Sequence, residues 1–153
     1  MAITQAMCTS FKTQLLLGTH CFKPTGQSAA DTFKLALYSA AGTLSAGTTS
    51  FITNAESDGI TSGGSALTTV GVTSGSTSGF VDFSDLTFTS VTVNAAGALI
   101  YNNTPSTSDN AGSTLTNAAV CVLDFGGTKT ASSGDFSIIF PAHTSAAAII
   151  RIA

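Results

Sequence analysis

The chain has 153 residues, enough for one domain, and 8% of them are charged, where a typical soluble domain carries about 25%. Its five Lys and Arg residues are scattered and the net charge is −3, which excludes the clustered positive charge of a nucleic-acid-binding protein. The apolar fraction of 43% excludes an intrinsically disordered chain, because disorder combines low hydrophobicity with high net charge.

The mean hydropathy of +0.38 does not indicate a membrane protein. It is high because charges are scarce and Ala is abundant, and no run of about 20 apolar residues is present to span a bilayer. No basic segment followed by an apolar stretch, as in a secretory signal, is visible near Met1. We therefore expect a protein that is made in the cytoplasm of its host and has no membrane partner.

The first 22 residues differ in pattern from the rest. Ser10 is predicted to cap a short helix that carries Phe11 and Leu15 on one face and stops at Gly18. We interpret residues 1–22 as an N-terminal arm or short helix, and residues 23–153 as a single β-sandwich domain. Residues 20–22 are predicted to begin a strand, followed by a turn at residues 24–26.

From residue 31 onward the pattern is that of β-structure. Phe33, Leu35 and Leu37 alternate with less apolar residues, which is the period of a strand with one buried face. The dipeptides Asp58-Gly59 and Gly63-Gly64 are turn signals, and residues 39–50, 73–79 and 102–111 are predicted loops. Further strands are predicted at residues 51–53, 67–72, 97–101, 118–125, 136–140 and 146–152.

Residues 80–93 change phase twice. The apolar positions switch parity after Phe83 and again after Phe88. Because a one-residue slip moves every side chain to the other face of a sheet, we predict a break near Ser84-Asp85 and a bulge near Thr89-Ser90. Turns are predicted at Asn94 and across residues 126–134.

Together these segments make about eight strands, frequent turns and almost no helix. This pattern predicts an all-β fold: an antiparallel β-sandwich, jelly-roll-like, with a short N-terminal helix or arm. Ten Phe residues, two Tyr and no Trp suit a dry core between two sheets.

Three cysteines and two histidines are the candidate metal ligands: Cys8, His20, Cys21, Cys121 and His143. They lack the spacing of known zinc motifs, and an odd number of cysteines without a C-x-x-C pair does not indicate a disulfide framework. We interpret the cysteines as small buried apolar residues of a reducing compartment.

Carboxylates are few, and Asp82 with Asp85 is the closest pair that a glycosidase could use. We expect both to point outward at a strand break, and Asp124 and Asp135 to flank a turn. A calcium site built from such aspartates stays open, although the EF-hand pattern is absent.

Several short motifs are coincidental. Asp124-Phe125-Gly126 matches a kinase magnesium motif, but the chain has none of the other kinase signatures. Asn102-Asn103-Thr104 is a formal glycosylation sequence, which we discount without a secretory signal. A Ser–His–Asp triad through His20 or His143 has no G-x-S-x-G motif to support it. We expect no enzyme, no catalytic residue, no metal and no cofactor.

A set of segments covers almost the whole chain: residues 1–6, 10–12, 18–20, 32–38, 63–64, 66–68, 81–88, 97–102, 119–127, 133–136 and 149–152. In their order and spacing these segments resemble a family of small virion structural proteins of tailed bacteriophages.

The resemblance implies a virion component, and our preferred interpretation is that the protein is a capsid decoration (cement) protein on the head exterior. Its partners would be the major capsid protein and further copies of itself, as a trimer or dimer. Residues 2–22 are the predicted docking segment, and removal of residues 1–10 is expected to abolish binding to the shell and to leave the β-domain folded. The alternative is a tail or fibre-associated protein for host adhesion. The departures from the family lie in residues 39–50, 73–79 and 102–117.

Overall fold

The computed structural model describes residues 3–105 and 114–153, so Asp109 and the end of the loop predicted at residues 102–111 lie outside the described residues. The elements are β1 (Ala6–Met7), α1 (Thr9–Leu16), β2 (Phe33–Tyr38), β3 (Ser65–Ala66), β4 (Thr69–Gly75), β5 (Ser78–Phe83), β6 (Leu86–Asn102), β7 (Ala118–Ile138) and β8 (Ile150–Ile152). Every strand pairing among the described residues is antiparallel, in a five-stranded sheet of order β1-β7-β6-β2-β3 and a three-stranded sheet of order β4-β5-β8. The predicted fold class, all-β with antiparallel sheets and a short N-terminal helix, is confirmed.

One hydrophobic core is filled from both sheets. The Phe33 ring of β2 stacks on Phe22 with centroids 4.3 Å apart and lies 5.8 Å from the Phe83 ring of β5. Phe83 continues the chain of rings to Phe140, again at 5.8 Å. Aromatic pairs at these separations add to the energy of burial. The phenylalanines therefore join the two sheets, as a dry core requires.

Helix α1 ends as predicted at Gly18. The Gly18 amide donates to the Leu15 carbonyl at 3.1 Å, and the Thr19 amide donates to the Gln14 carbonyl at 3.0 Å. This pair of bonds is the Schellman motif, which needs a residue of positive φ at its centre, and Gly18 has φ +74°. The predicted cap is wrong: the helix begins at Thr9, the N-cap is Cys8, and Ser10 lies inside the first turn.

The described part of the N-terminal segment is built into the fold. Strand β1 pairs with β7, with Met7 opposite Cys121, and the Cys8 amide donates to the Val120 carbonyl at 2.9 Å. Phe11, on α1, is completely buried. The segment therefore forms an edge of the larger sheet and contributes to the same core as the β-strands.

The predicted changes of phase between residues 80 and 93 are confirmed. Strand β5 ends at Phe83 and β6 begins at Leu86, so the break lies at Ser84-Asp85. The β6–β7 register shifts between Phe88 and Val91, where Ser90 has φ 54°. Parity of the apolar residues was sufficient to locate both features.

The turns predicted at Asn94 and residues 126–134 are wrong. Asn94 lies inside β6 opposite Thr130, and β7 continues without interruption through residues 126–134. Between the pairs Ala95–Lys129 and Gly97–Asp124, the single residue Ala96 faces residues 125–128. The glycines in this stretch therefore form a bulge within a strand instead of a turn.

Other differences arise where a strand has no apolar alternation. Residues 73–79, a predicted loop, form the turn and the adjoining strand ends of the β4–β5 hairpin, and the turn includes Ser76 at φ 52°. The final strand covers only Ile150–Ile152, and residues 51–53 and 20–22 are not strands. Pairing with a neighbouring strand, instead of local propensity, decides these segments.

Two strands extend beyond the rest of the larger sheet. Of the residues in β6, only 97–102 pair with β2. Strands β6 and β7, in contrast, stay paired along their length, from Asn102–Ala118 to Leu86–Ile138. We call the part made by residues 86–95 and 129–138 the outer ribbon. Its only charged residues are Lys129 and Asp135.

Candidate functional site

His20 is the centre of a buried polar network that joins α1 to the end of β6. Its Nε2 lies 2.9 Å from the Gln14 Oε1, and its Nδ1 lies 3.1 Å from the Asn102 Nδ2. Asn102 also donates from Nδ2 to the Asp31 Oδ2 at 2.7 Å, and the Cys21 amide donates to the same oxygen at 2.7 Å. His20, Gln14 and Asn102 are all buried.

These partners select one form of the imidazole ring. The Gln14 oxygen needs a proton on His20 Nε2, and the Asn102 NH₂ group needs a lone pair on Nδ1, so the ring is neutral. Burial lowers the pKa of His20 from 6.5 to about 4, although the Asp31 carboxylate opposes this change. A proton on Nδ1 would face the Asn102 donor, and the network therefore has no place for the imidazolium form.

The network stabilises structure and does not suit general-base catalysis. Both ring nitrogens of His20 are occupied by amide groups, which leaves no nitrogen for a nucleophile or a substrate. Asn102, in the formal glycosylation sequence, is completely buried, and its Nδ2 is already bonded. This position is therefore not accessible to a glycan in the folded protein.

We predict that His20 makes the protein less stable in acid. The pKa of His20 is 6.5 in the unfolded chain and about 4 in the folded protein, so the unfolded state binds more protons between these two pH values. The stabilisation is complete above pH 6.5 and is lost as the pH falls toward 4, by up to about 3 kcal/mol. Urea denaturation at a series of pH values measures the free energy of unfolding of the wild type and of His20→Gln, whose glutamine does not titrate.

The carboxylates titrate in both proteins, so they cancel when the two pH profiles are subtracted. The wild-type profile should fall more steeply than the His20→Gln profile between pH 6.5 and 4. An NMR titration of the His20 Cε1 proton gives an independent value. Titration of this proton near pH 6.5 would contradict the buried neutral ring.

Two of the three cysteines are buried thiols with a raised pKa. Cys8 and Cys121 are buried, and burial raises the pKa of Cys8 to about 11 and that of Cys121 to about 12, so both stay protonated at neutral pH. A protonated thiol is a poor nucleophile and a poor metal ligand. In the described residues no three His, Cys, Asp or Glu side chains are grouped to hold a metal ion. All three cysteines are free, with Cys21 only partly buried.

The prediction that Asp82 points into solvent is wrong. The segment before β8 covers the face of the smaller sheet on which Asp82 lies. Only 1% of Asp82 is exposed, and its Oδ1 accepts from the Phe83 amide at 2.9 Å. Burial raises the pKa of this carboxyl group, and the Phe83 and Ile149 amides and His143 partly offset the rise. The His143 ring meets the Phe80 ring edge-on at 5.1 Å.

Asp85, Asp124 and Asp135 each accept a hydrogen bond from a backbone amide. Asp85 is exposed as predicted and accepts from the Phe140 amide at 2.8 Å. Asp124 accepts from Gly126 at 2.8 Å inside the bulge of β7, instead of flanking a turn. Asp135 accepts from the Ser90 amide at 3.0 Å, at the bulge of β6. These carboxylates therefore stabilise irregular backbone.

Comparison with protein-family models, curated proteins and solved structures finds no match to this chain. Its function is therefore argued from the surfaces of the molecule. Within residues 3–105 and 114–153, no helix has the length and hydrophobicity to span a bilayer.

The outer ribbon is the surface feature that sequence patterns missed. Apart from Lys129 and Asp135, its exposed residues are all small and polar: Thr87, Thr89, Ser90, Thr92, Asn94, Thr130, Ser132, Ser133 and Ser137. Strands of ten residues extend roughly 30 Å. The ribbon was not predicted because Asn94 and residues 126–134 carry turn signals, and only the pairing of β6 with β7 overrides them.

Proposed function

We propose that this protein is a virion structural protein of a tailed bacteriophage, and that it decorates the outer surface of the capsid. The observation that carries the proposal is the solvent-exposed face of the outer ribbon, which is long and nearly free of charge. Charged groups are depleted at the centres of protein interfaces because their desolvation is costly. Soluble monomers usually rely on surface charge, so this surface suits a protein covered by partners.

The physical task of the protein is to stabilise an assembled shell. A protein that binds the assembled shell but not its free subunits shifts the equilibrium toward the shell by mass action. The proposed partners are the major capsid protein, contacted through the outer ribbon, and further copies of this chain. Residues 2–22 serve this binding less well than first expected, because β1 and Phe11 are already used within the fold.

We expect gold-labelled antibody against this protein to label the heads of purified virions. Label confined to tails or fibres would overturn the decoration role in favour of a tail-associated adhesion protein. The absence of label, together with absence of the protein from virion mass spectrometry, would overturn the virion assignment altogether.

The same proposal predicts which surface binds. Purified protein is expected to cosediment with heads that lack it, and Thr130→Arg with Ser132→Arg should weaken this binding at least tenfold, because two buried charges have no partner. Thr43→Arg is the matched control, since Thr43 is an exposed threonine outside the ribbon. Equal loss of binding in the control would contradict the assignment of the ribbon.

A further inference from the structure

One edge of the outer ribbon has no strand beside it. Residues 86–91 of β6 pair with β7 alone, and no backbone–backbone hydrogen bond joins them to any other described part of the chain. In an antiparallel pair, alternate residues direct their N–H and C=O groups away from the partner strand. These outward groups form a short row of donors and acceptors without a backbone partner along β6.

The two edges of the ribbon differ in how they are protected. Proteins protect an exposed edge with charged residues, proline or bulges, because an open edge is a template for pairing with another chain. On β7, Lys129 and Asp135 supply charge. Residues 86–95 of β6 contain neither a charged residue nor a proline, and their regular pairing is interrupted at the bulge near Ser90. The edge of β6 is therefore the one that is open to a further strand.

A loop of the same chain already covers the inner end of this edge. The Ser57 hydroxyl donates to the Asn94 carbonyl at 2.8 Å. Gly59 lies directly against the backbone of Thr92, since a Cβ on Gly59 would lie 1.8 Å from the Thr92 carbonyl oxygen. The loop therefore occupies the edge at residues 92–94, and the open part is residues 87–91.

A groove opens where the loop and the strand separate. It lies between residues 59–65 on one side and Thr87, Phe88, Thr89 and Val91 of β6 on the other, and its volume is about 310 Å³. This volume is at the lower end of the range for sites that enclose a ligand, so the groove accommodates a short segment. None of the described residues that line it is charged.

We propose that an extended segment of the capsid partner adds to residues 87–91 of β6 as a further strand and lies in this groove. This contact rests on the proposed function, because it concerns how the outer ribbon holds the capsid. An extended backbone carries donors and acceptors at the spacing that an open strand edge presents. The edge therefore selects a peptide segment as its occupant.

The lining of the groove sets the chemistry of the added segment. Ile60, Phe88 and Val91 are half-buried and present apolar surface, whereas Thr87 and Thr89 are exposed and present hydroxyl groups. Because successive side chains of a strand point to opposite faces, a segment that alternates apolar and small polar residues fits both kinds of contact. A charge in the groove would be desolvated without a partner, so the segment is uncharged.

Hydrogen exchange of the backbone amides tests strand addition directly, because an added strand bonds to amides that otherwise exchange with water. The protein is compared free and bound to purified heads that lack it, and its peptic fragments are analysed by mass spectrometry. Exchange in residues 86–91 is expected to slow at least about tenfold on the heads. Residues 129–138, on the protected edge, are the internal control and should slow much less.

Thr61→Trp provides an independent test. Thr61 lines the groove from the side of the loop, so a tryptophan there fills the space of the added strand without changing β6. Binding to heads is expected to weaken at least about tenfold through this steric clash, with an unchanged circular dichroism spectrum. Thr43→Trp is the matched control, since Thr43 is an exposed threonine that does not line the groove.

The outcomes separate this contact from the proposed function. Protein that binds heads with unchanged exchange in residues 86–91, or with equal slowing at both edges of the ribbon, would overturn strand addition and leave capsid decoration in place. Wild-type binding by Thr61→Trp would likewise show that the groove holds no partner segment. A protein that does not bind heads at all would overturn both.

Discussion

Deletion of residues 1–10 is expected to unfold the β-domain. The deletion removes β1, which forms one edge of the larger sheet, and the amide of Cys8 that donates to Val120. It also removes the N-cap and the first two residues of α1, and the remaining six-residue helix is too short to persist. This expectation replaces the sequence-based one, in which the domain survives the deletion.

The loss of burial is large compared with the stability of a domain. Ile3 and Cys8 are 6% and 0% exposed, and without α1 the fully buried Phe11 also loses its position. Removing large buried side chains costs about 2 to 5 kcal/mol each, and a domain has only about 5 to 15 kcal/mol in total. The entropy recovered from the deleted residues offsets part of this loss, at about 1 to 2 kcal/mol per residue.

Urea denaturation followed by circular dichroism measures the effect, with point variants to grade it. Ile3→Ala should lose about 3 kcal/mol. Gln5→Ala, two residues away and exposed, is the control and should change stability little. A truncated protein with the wild-type urea midpoint would show that residues 1–10 are a dispensable arm. Loss of head binding by a folded truncation would restore the docking role of this segment.

Ile3 also explains why residue 97, which the sequence places in a predicted strand, is a glycine. A Cβ on Gly97 would lie 2.8 Å from the Ile3 Cγ2 and 2.4 Å from the Leu123 carbonyl oxygen. The glycine lets the N-terminal chain and β7 approach β6 closely. The close contact supports the view that residue 3 belongs to the folded core.

Local patterns were sufficient where a single residue or parity decides the structure. The alternation around Phe33, the phase changes at Ser84 and Ser90, and the helix stop at Gly18 were all predictable, because each depends on neighbours in the chain. The fold class follows from the number of such segments.

Long-range pairing decided the features that could not be predicted. Asn94 and Gly126 are turn-forming residues, yet both lie in long strands because each strand pairs with the other. Asp82 was expected to be exposed but is buried. A segment about 60 residues later in the chain covers it, and no local sequence pattern indicates that contact. Nothing local shows that the His20 ring bonds to Asn102, because the two residues are 82 positions apart in the chain.

Gly64→Ala is expected to be among the most destabilising single substitutions in this protein. The sequence predicts a turn at Gly63-Gly64, and the structure adds a close approach to β2. Gly64 has φ +66°, and a Cβ on it would lie 1.8 Å from the Leu35 carbonyl oxygen. A backbone atom cannot rotate away, so the β2–β3 pairing next to it must separate. We expect a loss of about 4 kcal/mol, from the positive φ and the clash together.

Two glycines separate these contributions. Gly26 has φ +90° and no atom near its Cβ position, so Gly26→Ala should lose only the conformational part, about 1 kcal/mol. Gly79 has neither constraint, and Gly79→Ala should leave the free energy of unfolding nearly unchanged. Urea midpoints in the order Gly79→Ala, Gly26→Ala, Gly64→Ala, from highest to lowest, would support this account. Equal midpoints for Gly64→Ala and Gly26→Ala would mean that β3 moves away from Leu35 at no cost, and that its pairing with β2 does not stabilise the sheet.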